Sequence, residues 1–192
     1  MTALVIGLVL FLGLHSTRMV ADGARSRFIA QRGLNAWRGL YSLGSAIGLV
    51  LVVWGYSLTL RQPVVLWSPP AWMRPLAGVL MLASIVLIVA AYVPRNHLKA
   101  RLGHPMVLGV KVWAFAHLIT TRTLADVLLF GSFLLWAVLC YRSLRARDRA
   151  DDRRPPAGQG VATLIAVVVG AALWFVFAFW LHGWLIGIRP FA

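Results

Sequence analysis

The chain contains no glutamate, only two lysines and a single cysteine, and its five acidic residues, all aspartate, stand against nineteen basic ones. Each shortage excludes something. Without glutamate, and with aspartate scarce, a carboxylate-bridged di-iron centre has no ligand set to draw on. One cysteine, Cys140, rules out a disulfide framework and a CxxC redox pair, and a structural zinc site lacks its thiolates. Cys140 sits in an apolar run, where a thiol acts as a small buried hydrophobe. Sustained period-2 alternation is also missing, which excludes a transmembrane barrel, and no internal repeat is evident. No basic residue precedes the apolar stretch Met1–Leu14, so it reads as a retained first span rather than a cleaved signal.

What the chain has in abundance is apolar sequence. Of its 192 residues 60% are hydrophobic, and mean hydropathy is +0.81, far above an ordinary soluble domain. Several runs exceed the roughly 18 apolar residues that cross a hydrocarbon core. The expected fold is all-α, a polytopic transmembrane helix bundle forming a single domain over 1–192. Six spans are predicted, at about 2–20, 39–60, 75–93, 104–121, 123–142 and 161–186. Helices are the default because no backbone amide can remain unpaired in lipid. Gly44 and Gly48 form a GxxxG in the second span, a spacing that lets helices approach closely. Trp67 and Trp72 flank WSPPAW, where interfacial aromatics are expected.

The net charge of +14 invites a nucleic-acid reading, but its distribution supplies a different one. The first, third and fifth loops carry Arg18, Arg25, Arg27, Arg32 and Arg38; Arg95, Lys99 and Arg101; and Arg142, Arg145, Arg147, Arg149, Arg153 and Arg154. The other side has only Arg61, Arg74, Arg122 and Arg189. The positive-inside rule places the first group in the cytoplasm and both termini outside. The expected partner is therefore the lipid bilayer, with no nucleic acid. The segment RSLRARDRADDRRPPAGQG (142–160) is expected to be a mobile cytoplasmic linker able to touch anionic headgroups.

Ionisable residues inside spans are costly, which makes them functional candidates. They are His15, His104, Lys111, His117, Asp126 and His182; His97 falls in a loop and is expected to be solvated. On a helix of 100° per residue, His104 and Lys111 share a face, while His117 lies about 140° round, with Val110 and Trp113. Gly103-His104-Pro105 reads as a helix start, since proline is tolerated at the first helical position. Lys111 is expected to snorkel or to hydrate a cavity. Thr123 and Asp126 fit a variant capping box. The alternative for Asp126 is to hold the second ring nitrogen of His117, as outer carboxylates do for ligating histidines. Paired imidazoles can ligate a metal, and with acids and thiols scarce a bis-imidazole haem is the metal reading most compatible with what remains. A lone intramembrane histidine also serves as a hydrogen-bonding link between helices, so both readings stand at this point.

The motifs HSTR (15–18), RGLYSL (38–43), VLWSPPAW (65–72), HPMVLGVKVWAFAHL (104–118) and LLFGSFLLWAV (128–138) together resemble the NnrU family of integral membrane proteins. That resemblance implies a role in bacterial nitrite and nitric oxide metabolism (denitrification), in the inner membrane. The family is related to the haem-dependent 15-cis-zeta-carotene isomerase, whose HS and WxxAH histidines are implicated in haem b ligation. Residue by residue, this implies His15 and His117 as iron ligands. Depth in the membrane keeps His104 as a competing partner, and Asp126, Trp113 and Lys111 are expected in support. Ala114 stands where the isomerase has a cysteine, so a Cys-for-His exchange there is not implied. The resemblance leaves three functions open. The first is a haem protein that handles nitric oxide or isomerises an apolar, lipid-soluble polyene. The second is a non-enzymatic accessory factor for a respiratory reductase. The third is a membrane methyltransferase using S-adenosylmethionine, which the helix-opening His-Pro resembles but whose acidic site residue is missing.

Overall fold

A computed structural model describes residues 1–153 and 155–191. In chain order the elements are α1 (Thr2–Val20), α2 (Asp22–Arg32), α3 (Leu34–Thr59), α4 (Met73–Tyr92), α5 (His97–Leu102), α6 (Pro105–Thr120), α7 (Leu124–Ala150), α8 (Gly160–Val176), a π-helical turn (Phe177–Leu181) and α9 (His182–Ile186). The protein is all-helical among the described residues, apart from two isolated bridges. α1, α3, α4, α7 and the continuous stretch Gly160–Ile186 are long and apolar enough to cross a membrane. α6 is apolar but has 16 residues, about 24 Å, short of a hydrocarbon core of about 30 Å. Five full-length helices and one short one thus make about six passages. Val9, Val50, Val79 and Leu164 are 69, 65, 66 and 63% exposed. A protein dissolved in water does not carry so much apolar surface; lipid is the solvent these faces match.

Three features differ from expectation. The first and third loops contain helices, α2 and α5. The basic segment after 142 is not a flexible linker along its whole length, because α7 continues through Ala150. Residues 142–150 are arginine, alanine and leucine with a single serine and aspartate and no glycine or proline, so nothing in them opposes helix, and Arg147 donates to Ser143 Oγ one turn back, at 2.9 Å. The far end is tethered, with Gln159 N donating to Arg95 O at 2.7 Å. Arg154 lies outside the described residues. Finally, the sixth span is interrupted by the π-turn ahead of His182.

The chain divides into two compact units. The first comprises 1–67 and 122–136. Here α1 and α3 pack through glycine. A Cβ on Gly7 would lie 2.6 Å from Val52 N, and one on Gly48 would lie 2.9 Å from Phe11 N. The GxxxG glycine is therefore a contact point between these helices, as its spacing predicts. Leu4, Leu8, Val52 and Ala125 form the buried cluster, with Leu12, Tyr56, Leu129 and Phe133 around it. The strip before WSPPAW pairs with the start of α7: Leu66 N donates to Arg122 O at 2.8 Å and Leu124 N to Val64 O at 2.9 Å.

The second unit comprises 68–121 and 137–192. α4 and α6 meet at Gly109, whose carbonyl accepts from the fully buried Ser84 Oγ at 2.8 Å. α8 joins them where Gly170 faces Val86. Asn96, 0% exposed, joins two helix ends. Its Nδ2 donates to Ala90 O and Val93 O at 2.7 and 2.6 Å, and its Oδ1 caps α5 by accepting from Lys99 N at 2.8 Å. Buried side chains that satisfy several orphan backbone groups are how a helix–turn–helix corner survives without water.

Candidate functional site

In the first unit the site is built around His15, in the last turns of α1. Its Nδ1–H donates to Phe11 O, four residues back, at 2.7 Å. Ser16 and Thr17 also bond back, to Leu12 O and Leu14 O, so the polar side chains of the HST run are held against their own helix. Fixing the proton on Nδ1 puts the lone pair on Nε2, the arrangement in which an imidazole ligates a metal. The ring is enclosed by aromatics. Phe11 stacks on it with centroids 4.2 Å apart, Tyr41 lies at 5.2 Å and Trp136 stands edge-on at 6.0 Å. Three motifs distant in sequence therefore converge here: His15 from HSTR, Tyr41 from RGLYSL and Trp136 from LLFGSFLLWAV.

Two donors of this unit are unsatisfied. Trp136 Nε1 and Ser45 Oγ are buried and have no hydrogen-bond partner among the described residues. An orphaned donor costs about 1–3 kcal/mol, and native interiors rarely tolerate one without reason. Ser45 lies one turn after Tyr41 on α3. An acceptor-bearing group beside His15 would satisfy the Trp136 N–H, so the residues here fit a ligand of the haem type: an imidazole lone pair, flat aromatic walls and a donor for a carboxylate.

Asp126, in contrast, is already committed. Tyr56 Oη donates to its Oδ1 at 2.6 Å. Its Oδ2 accepts from Thr123 N at 3.0 Å, Thr123 Oγ1 at 2.8 Å and Arg122 N at 3.3 Å. Asp126 N in turn donates to Thr123 Oγ1 at 3.3 Å. This is the predicted capping box, with an added tether to α3 through Tyr56 that no sequence signal announced.

In the second unit His117 repeats the pattern of His15. Its Nδ1–H donates to Trp113 O at 2.9 Å, again four residues back, and the Trp113 ring lies 5.3 Å away. Trp113 thus supports His117, as their shared helix face predicts. His182 follows the π-turn, the kind of irregularity found at functional sites. Its Nδ1–H donates to Ile188 O at 2.6 Å. The His117 and His182 rings are nearly parallel, with centroids 6.4 Å apart. Sequence reasoning named His182 as an intramembrane residue but gave it no role, because a π-turn leaves no periodic mark. Lys111 is half-buried midway along α6.

His104 is the N-cap of α6 with Pro105 at the first helical position, as expected. Its side chain makes no cap bond. Instead Nε2 bonds Asp148 Oδ2 at 2.8 Å, and Arg145 reaches the same oxygen at 3.5 Å. This nitrogen is engaged by a carboxylate, whereas His15 has its Nδ1 on a backbone carbonyl. Among the described residues no cluster of three or more His, Cys, Asp or Glu side chains forms a metal-ion site.

The fold and these side chains define a polytopic helical membrane protein in which His15, His117 and His182 are each held with Nδ1 on a backbone carbonyl. The sequence profile described as NnrU protein matches residues 3–190, so the chain belongs to the NnrU family. No curated protein and no solved structure matches it.

Proposed function

We propose that this NnrU-family protein binds haem b in a bacterial inner membrane and serves nitrite and nitric oxide metabolism. The single observation that carries the haem reading is the His15 environment: an imidazole with its Nδ1 proton fixed on Phe11 O, aromatic walls, and the unsatisfied N–H of Trp136 beside it. His15 and His117 are the candidate ligands, each in the tautomer that leaves Nε2 as donor to iron. His104 is the weaker choice because its Nε2 is bonded to Asp148. When bound, haem supplies one-electron redox chemistry and an affinity for nitric oxide. The protein's own part is to hold the imidazoles, exclude water and present the Trp136 N–H. The denitrification role rests on the family resemblance, and so does the related possibility of isomerising an apolar polyene.

The visible spectrum of protein purified from haem-replete cells tests this reading. A Soret band with split α and β bands on reduction is expected, and His15→Ala and His117→Ala should each abolish it while His104→Ala leaves it. A folded, colourless protein sinks the haem reading. One observation favours the second reading, a non-enzymatic accessory factor for a reductase. Tyr56–Asp126 and Ser84–Gly109 use intramembrane polar groups purely to join helices. Under that reading, a colourless protein copurifies with a respiratory reductase. His117→Ala would then weaken folding without changing any spectrum.

A further inference from the structure

Where the apolar part of α7 ends, three arginines fall on one face. Arg142, Arg145 and Arg149 are spaced i, i+3 and i+7, within an arc of about 60°. Together with Tyr141 and Ala146 they line an open concavity of about 520 Å³. Arg147, on the opposite side, turns away to Ser143.

The surroundings hold this patch in place. Tyr141 Oη donates to Leu102 O at 3.0 Å, fixing α7 against the α5–α6 corner. At that corner Gly103 takes φ of +75°, and a Cβ there would come within 3.0 Å of Arg145 Nη1, so the glycine lets Arg145 lie across it. Asp148 is shared by Arg145 and His104. Arg142 and Arg149 make no ion pair with an acidic side chain among the described residues. Like charges are thus gathered around a concave space, and the carboxylate that faces Arg145 is already shared with His104.

We infer that this concavity is a binding site for a phosphate group. Arginine matches phosphate through paired N–H donors, and the Tyr141 ring adds an apolar wall. The site follows directly on the apolar run of α7, which is the level of the lipid headgroups, and basic pockets there take anionic lipids. The occupant is therefore the phosphodiester of an anionic phospholipid; a free phosphorylated solute offers the same chemistry.

Native mass spectrometry of the full chain in non-ionic detergent tests this, with phosphatidylglycerol, phosphatidylcholine and inorganic phosphate as probes. Phosphatidylglycerol should be retained about tenfold more strongly than phosphatidylcholine. Arg142→Gln with Arg149→Gln should remove that preference. Arg145 is kept in this variant because it supports Asp148, so the fold is preserved. Arg61→Gln with Arg74→Gln, the same change in charge at other loops, should leave the preference intact. Displacement of phosphatidylglycerol by millimolar inorganic phosphate supports the site and assigns it to phosphate in general. The inference is overturned by equal retention of both lipids in the unaltered chain. It is also overturned if the preference survives in the Arg142/Arg149 variant, or is lost equally in the Arg61/Arg74 one.

Discussion

Replacing Trp136 by phenylalanine separates a ligand-binding indole from a merely structural one. In the protein without ligand, Trp136 Nε1 is buried and has no partner among the described residues, a burden of about 1–3 kcal/mol. Trp136→Phe removes the orphaned N–H but also removes part of a ring that packs edge-on to His15. Loss of packing in a core costs a comparable amount, so the ligand-free variant should differ from the parent by no more than about 1 kcal/mol. With haem bound, the indole instead donates to an acceptor on the ligand, and a bond to an ionised carboxylate is worth about 1.5–3 kcal/mol. The packing loss is common to both states and cancels in the difference. The variant should therefore be destabilised mainly when loaded, with haem held about tenfold or more less tightly. Two measurements supply the cycle: unfolding in detergent titrations with and without haem, and the rate of haem transfer to an apo-globin acceptor. Equal destabilisation in both states would refute the reasoning, because Trp136 would then be a packing residue whose N–H meets no ligand.

Two further outcomes concern the scaffold. Tyr56→Phe and Asp126→Ala should couple by about 1–2 kcal/mol in a double-mutant cycle, above the ~0.6 kcal/mol average for hydrogen bonds within membranes, because the acceptor is a carboxylate; additive losses would show that the 2.6 Å contact contributes nothing. Gly48→Leu should destabilise the α1–α3 pair by about 1–3 kcal/mol, since the new side chain meets the Phe11 backbone, whereas Gly131→Ala, with open space around it, should be nearly neutral.

Much of this is legible in the sequence. Hydropathy located the passages, and the GxxxG of α3 proved to be a helix contact. Gly103-His104-Pro105 opened a helix, and Thr123 with Asp126 closed a capping box. These features are local, governed by residues within a turn or two of one another. The stretch 142–150 differs from its expectation for a physical reason. Its charge suggested a solvated linker, yet charge does not oppose helix, and RSLRARDRA lacks the glycine and proline that would.

The sequence by itself determined that this is a helical membrane protein and which few polar residues its apolar helices must accommodate. It also marked the histidines as costly, since an ionisable group in lipid is expensive wherever it sits. It could not say what each faces, because facing depends on which helices become neighbours. Only the tertiary structure gathered Tyr41 and Trp136 around His15, left the Trp136 N–H without an acceptor among the described residues, set His182 nearly parallel to His117 and turned His104 toward Asp148. A helix repeats every 3.6 residues and so announces its faces, but the partner a face meets is chosen by packing between segments far apart in the chain.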